Sequence, residues 1–224
     1  MGNLAVSVTY KRAVDLHQHV PPDWYARSIK ENVLQWFWHT TRFKEVSGLI
    51  EKAGGRVLDI GCADGTFTKV VLSQSGASEV VGIDILPKSV AYAKRRFARS
   101  KKLSFRVADA HKLPFPSRSF DAVFCLETLE HVADPDMVIS EIYRVLKDDG
   151  YAIILVPSEN LIFRFAVWPL WTLWRGRIWK GTHIQNLSTK ELLAKMDNGK
   201  FEIKEYKKFL LGMLQVIKVA KKQL

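Results

Sequence analysis

The chain has 224 residues, 47% of them apolar and 25% charged, enough for one domain with a full hydrophobic core and an elaboration. Its formal net charge is +11, with 13 Lys and Arg against 4 Asp and Glu between Asn160 and Leu224; such a surplus can draw nucleic acid, an anionic membrane or an acidic substrate, or serve solubility alone. No uninterrupted apolar run reaches the roughly 20 residues of a membrane span, Met1–Tyr10 lacks the charged-then-apolar pattern of a secretory signal, and Cys62 and Cys125 have no metal-ligand spacing, so a cytoplasmic chain with reduced thiols is expected.

Residues 1–51 read as a helical cap. Pro21-Pro22-Asp23 is a stop followed by a start, with Asp23 able to cap a helix from Trp24. A second helix is expected over Asn32–Glu51. From residue 52 onward strands and helices alternate. Strand Arg56–Ile60 leads to helix Thr66–Ser73, and strand Glu79–Ile83 to helix Pro87–Ser100. Strand Leu103–Ala108 precedes a loop with Pro114 and Pro116, and strand Phe120–Leu126 leads to helix Asp134–Leu146. Strand Tyr151–Val156 follows the turn at Asp149-Gly150. Phe201–Phe209 and Leu214–Val219 read as a hairpin turning at Gly212. This order predicts an α/β fold: a doubly wound, Rossmann-like, mostly parallel seven-stranded sheet whose C-terminal hairpin adds an antiparallel edge.

Ligands of open α/β sheets bind at the carboxyl ends of the strands, near the switch in strand order. Carboxylates stand at three successive ends. Asp59 closes the first strand, followed by a turn in which Gly61 permits a sharp bend and close approach to a ligand, while Gly65 lets the next helix sit near the strand. Asp84, about 25 residues past that turn, can accept two hydrogen bonds from a ribose diol. Asp109 can accept from an adenine amino group, while the next backbone N–H meets a ring nitrogen. Each acid alone could equally cap a helix or solvate a loop. The turn reads Gly-Cys-Ala-Asp-Gly, and Asp64 within it would repel a pyrophosphate but tolerate a sulfonium and an ammonium group, which disfavours a dinucleotide.

With these residues the chain resembles the class I S-adenosylmethionine-dependent methyltransferases, of the group called type 11, over about Arg56–Val156. The match runs through Val57-Leu58-Asp59-Ile60-Gly61-Cys62-Ala63-Asp64-Gly65, Asp84, Asp109-Ala110 and Leu113-Pro114-Phe115-Pro116-Ser117-Arg118-Ser119-Phe120-Asp121-Ala122-Val123. The resemblance implies that Asp59, Gly61, Cys62, Ala63, Gly65, Asp84, Ile85, Asp109, Ala110 and Leu126 bind S-adenosylmethionine and its product S-adenosylhomocysteine. One position departs: Ala63 stands where the family has glycine, and its methyl narrows the room for the methionine moiety.

Leu126-Glu127-Thr128-Leu129-Glu130-His131-Val132 should face the methyl group, with His131 a candidate base at neutral pH; alternatively Glu130 and His131 shape the turn. Glu-x-x-Glu-His here is similar to the ubiquinone-pathway O-methyltransferases, where these groups are associated with a divalent metal, and Lys180-Gly181-Thr182-His183 resembles another segment of theirs. That likeness implies a metal on Glu127, Glu130, His131 and His183 that binds a catecholate; His183 is otherwise a second acid/base candidate or a loop hydrogen-bonder.

The insertion at 160–182 holds four of the seven tryptophans together with arginines, the composition of a membrane interface or of a hydrophobic lid. Trp24, Tyr25, Trp36, Trp38, His39 and Arg42 could complete an acceptor pocket or belong to the core. The expected function is O-methylation of a small lipophilic acceptor, with contact to an anionic membrane face. The alternatives are methylation of RNA or protein and, from another class, a non-catalytic cofactor-binding or membrane-associated scaffold.

Overall fold

The structure, a computed structural model, describes residues 15, 17, 19–158, 184, 185, 187–197 and 199–222. Two helices, α1 (Trp24–Glu31) and α2 (Val33–Ser47), precede β1 (Arg56–Ile60), α3 (Thr66–Ser75), β2 (Glu79–Asp84), α4 (Pro87–Arg96) and β3 (Leu103–Val107). Then come β4 (Phe120–Leu126), a 3-10 turn at Leu129–His131, α5 (Pro135–Val145), β5 (Leu146–Pro157), α6 (Thr189–Met196), β6 (Phe201–Phe209) and β7 (Leu214–Lys221). The seven strands form one sheet in the order β3-β2-β1-β4-β5-β7-β6. The first five run parallel, and β7 pairs antiparallel with both β5 and β6. The expected doubly wound sheet with a C-terminal hairpin is therefore the fold, with β6 as its edge.

The central strands β1, β2 and β4 are largely apolar because both faces are covered, whereas the outer strands β3 and β6 carry exposed polar positions. Successive side chains leave a strand on opposite sides. Val57, Val80, Ala122 and Phe124 pack with Val46 of α2 and Val71 of α3 on one face. Leu58, Val81, Val123 and Cys125 pack with Ile142 of α5 and Leu192 of α6 on the other. The order reverses between β1 and β4, so the crevice at the ends of those strands is where a ligand fits.

Local chemistry sets the boundaries, and several expected ones move. The helix from Trp24 begins where expected, but Asp23 makes no side-chain capping bond. The second helix spans Val33–Ser47 rather than reaching Glu51; the Asn32 side chain accepts from the Leu34 and Gln35 amides and starts it. The helix from Pro87 stops at Arg96 instead of Ser100, and Phe97 stacks on Phe105 of β3 at 5.8 Å. β5 opens at Leu146 and slips register against β4 between Phe120 and Ala122. Helix α6 was absent from the sequence reading although its signal is present: Ser188 and Glu191 form a reciprocal capping box. Among the described residues no helix is long and apolar enough to cross a membrane. The insertion at 160–182 and His183 lie outside the described residues.

Candidate active site

The loop after β1 is shaped by three left-handed residues, Gly61 (φ +77°), Ala63 (φ +45°) and Gly65 (φ +76°). The amides of Gly61 and Cys62 both donate to the Ile83 carbonyl, at 2.8 and 2.9 Å, which folds the loop onto the end of β2. A Cβ on Gly61 would lie 2.1 Å from Oγ1 of Thr128, whose hydroxyl donates to the Ile60 carbonyl. Glycine is thus required there by a neighbouring loop as well as by the backbone angle. At Gly65 a Cβ would strike Phe97 and Phe105, so this residue serves helix packing.

The strand-end carboxylates differ in their surroundings. Asp59 is buried and accepts from Thr68 Oγ1 at 2.6 Å; burial outweighs that bond and pushes its pKa up to about 7. Asp84 accepts from the amides of Ala63 (2.9 Å) and Leu86 (2.8 Å), and burial raises its pKa despite them. Asp109 also loses solvent, but two hydrogen bonds from His111 prevail and hold it below the usual carboxylate range. Both bonds fall on Oδ1, from the His111 amide (2.9 Å) and ring Nδ1 (2.6 Å). The His111 Nε2 accepts from the Asp134 amide, which places the ring proton on Nδ1. Asp64, buried in the turn, is bound by the amides of Thr66 and Ala26 and by Arg96.

These groups border two adjoining cavities. The larger, about 940 Å³, is floored by Gly61, Ala63, Asp84, Ile85, Asp109 and Ala110 and holds His131. Its roof comes from before β1: His17, Val20, Pro21, Pro22, Trp24 and Tyr25. The smaller, about 500 Å³, reaches Asp59, Cys62, Asp64, Leu126, Phe67 and Arg42. Tyr25, Gly61, Ala63 and Glu127 border both. Of the cofactor residues expected from sequence, all but Gly65 line one cavity or the other.

Arg42 of α2 is buried and forms an ion pair with Glu127, which leaves β4 in a left-handed conformation (φ +50°). Burial lowers the Arg42 pKa to about 10, leaving it charged at neutral pH. His39, contacted by Arg42 through Nδ1, is driven down to about 2 by burial and by that cation, so its ring is neutral. Burial pushes the Tyr25 hydroxyl up to about 12, making it a donor rather than a base. His17 Nε2 lies 3.1 Å from His131 Nδ1.

The described residues give the metal reading no support. Among the described residues no three His, Cys, Asp or Glu side chains gather to hold a metal ion. Glu127 is turned to Arg42, and the Nδ1 of His131 is turned to His17. The backbone carbonyl of Glu130 accepts from the amides of Ile184 and Gln185. Of the aromatic and basic residues open between pocket and core, Trp24, Tyr25 and Arg42 line the cavities, His39 is buried beside Arg42, and Trp36 is exposed. His17, His111 and Thr128 were not singled out from sequence. The His17 contact spans 114 residues, so no local pattern announces it. Cys62 and Cys125 are free, buried thiols whose pKa values burial raises.

Residues 58–154 match the family model described as a methyltransferase domain. The chain is 36% identical over 115 residues to a demethylmenaquinone methyltransferase of Thermus thermophilus, covering 51% of this chain and 52% of that protein. It is 38% identical over 111 residues to a ubiquinone biosynthesis O-methyltransferase of Xanthomonas oryzae, covering 49% and 46%. The chain thus spans about half the length of the curated relatives it matches. A putative methyltransferase solved in complex with the Trm112 activator of Haloferax volcanii has the same fold: TM-score 0.73, 19% identity, 91% of this chain and 98% of that one.

Proposed function

We propose that this chain is a class I S-adenosylmethionine-dependent methyltransferase, a reading supported by its methyltransferase domain match at residues 58–154, and that it methylates a hydroxyl of a small lipophilic acceptor. The observation that carries the reading is one cleft onto which Asp84 and Asp109 open beside the Gly61–Ala63 turn, with a cation–anion pair at its far end. Relatives that act in quinone pathways support an acceptor of the phenol or quinol kind. We read residues 1–51 as the cap over the 52–224 domain, and the protein as cytoplasmic with contact to an anionic membrane face.

The residues fit the cofactor group by group. Asp84 keeps lone pairs for a ribose diol, and Oδ2 of Asp109 is left for an amino group because His111 binds Oδ1. The Arg42–Glu127 pair would offer an amino-acid zwitterion a cation for its carboxylate and an anion for its ammonium. Bound there, the cofactor supplies an activated methyl on a sulfonium sulfur, which keeps the electron pair of the broken bond. The chain's task is then to align the acceptor, worth roughly 7–11 kcal/mol in favourable cases, and to take its proton. Our candidate for that proton is His131, a reading supported by its lining the same cavity as Asp84, on the turn after β4. The apolar roof of Val20, Pro21, Pro22 and Trp24 suits a lipophilic molecule and keeps water from the reacting oxygen.

The test is calorimetry with S-adenosylhomocysteine, followed by labelled methyl donor with a panel of phenols and quinols. Saturable binding and label in the organic phase support the reading. Label in RNA or protein would replace the acceptor class, as the net charge of +11 could accommodate. Binding with no transfer to any of these would leave a cofactor-binding scaffold.

A further inference from the structure

His17 and His131 meet at the roof of the larger cavity, which both side chains line. Their facing nitrogens are 3.1 Å apart, and the ring centroids lie 4.7 Å apart with the planes at 90°. His17 is 8% exposed and comes from the segment before α1, whereas His131 ends the 3-10 turn after β4 and is held by its amide to the Thr128 carbonyl at 3.0 Å. A hydrogen bond between two imidazoles needs one N–H and one lone pair, so the pair must choose a direction.

We propose that His17 is a positioning residue for His131: its Nε2 accepts from the Nδ1–H of His131 and so keeps the His131 lone pair on Nε2. The purpose assigned to that lone pair rests on the methyl-transfer reading; the tautomer itself does not. In the opposite direction His131 would carry its proton on Nε2 and could only donate to an acceptor hydroxyl. In the proposed direction Nε2 takes the hydroxyl proton as the acceptor oxygen bonds to the methyl group, and the resulting imidazolium still has its Nδ1–H satisfied by His17. The proton then passes to water, restoring the neutral pair. The partner that orients a catalytic histidine is often a carboxylate; here a neutral imidazole fills that place. His17 touches no reacting atom in this scheme.

Long-range proton–nitrogen correlation spectra of the full chain labelled at histidine nitrogens test the proposal, with His131→Gln used to assign the signals. The expected result is an Nδ1–H tautomer for His131 in the wild-type chain. His17→Phe should move it to the Nε2–H tautomer usual in water, and His17→Gln should restore Nδ1–H, since the amide oxygen accepts. Once an acceptor is in hand, kcat should fall about tenfold or more in His17→Phe and recover in His17→Gln. Nε2–H in the wild-type chain, or a His131 tautomer unchanged in His17→Phe, overturns the proposal. Should His17→Phe not fold, the wild-type tautomer alone decides. S-adenosylhomocysteine binding by the wild-type chain reports on the methyl-transfer reading separately.

Discussion

The amide of Ala63 donates to Oδ2 of Asp84 at 2.9 Å, tying the loop after β1 to the end of β2. The bond exists because Ala63 sits at φ +45°, a region that L-residues other than glycine rarely occupy. The methyltransferase resemblance places glycine here, and the backbone angle gives a physical reason for it. The alanine therefore carries strain at the cleft floor as well as a methyl within it.

Ala63→Gly should remove that strain. The expected gain is about 1 kcal/mol in unfolding free energy, offset in part by the freedom glycine gains in the unfolded chain. Affinity for S-adenosylhomocysteine should rise as well. Urea melts and calorimetry on the same preparation measure both, and a variant less stable than the parent would contradict the account.

Asp84→Ala should weaken S-adenosylhomocysteine binding by about 10- to 100-fold, the range expected for removing a charge-assisted hydrogen-bond acceptor. It also frees the Ala63 and Leu86 amides, so Asp84→Asn is the companion variant, keeping one acceptor oxygen. Binding within twofold of wild type in both would remove Asp84 from the ribose role.

Asp59 makes stability depend on pH in a definite direction. Its folded pKa, about 7, stands above the ordinary 3.8, so the folded chain holds this proton more tightly than the unfolded chain. Stability from this group is present below about pH 4 and is lost as pH rises to about 7. Asp59→Asn cannot ionise. It should match the parent at pH 4 and exceed it at pH 8 by at least about 1 kcal/mol in urea melts. An equal difference at both pH values would mean that Asp59 is not buried as a neutral acid.

Breaking the Arg42–Glu127 pair from one side leaves a buried charge alone. Glu127→Leu, which strands the buried Arg42, should cost about 3–5 kcal/mol, and adding Arg42→Met should recover part of that loss. A double-mutant cycle measures the coupling, and additive losses would show that the two charges do not depend on each other.

Gly61→Ala places a Cβ against Thr128 Oγ1. Crowding and the positive φ together should destabilise the chain by at least about 2 kcal/mol. Thr128→Ala should relieve the crowding but not the angle, so it rescues only partly. Full rescue would mean the angle costs nothing.

Strand positions and the strand-end acids were legible because both repeat locally. β1 and β4 have the expected bounds, since an apolar run flanked by polar turns marks a strand buried on both faces. Helix ends were less legible: α4 stops early because Phe97 stacks on Phe105, a residue eight positions further on in another element. Arg42 was open between pocket and core, but nothing local signalled its ion pair, since a helical arginine ordinarily faces water. Its partner Glu127 lies 85 positions away in sequence, beyond β4.

The order of the strands, the order of the helices up to β5, and the carboxylates at the strand ends follow from the sequence alone, because hydrophobic period and turn chemistry act between near neighbours. The tertiary structure decided how those carboxylates are engaged: Asp59 kept by Thr68, Asp64 taken by the cap, Asp109 half-occupied by His111. It also decided that the chain before β1 roofs the cleft and sets His17 against His131. Those outcomes depend on burial and on contacts between distant segments, which exist only after the chain has collapsed around its sheet.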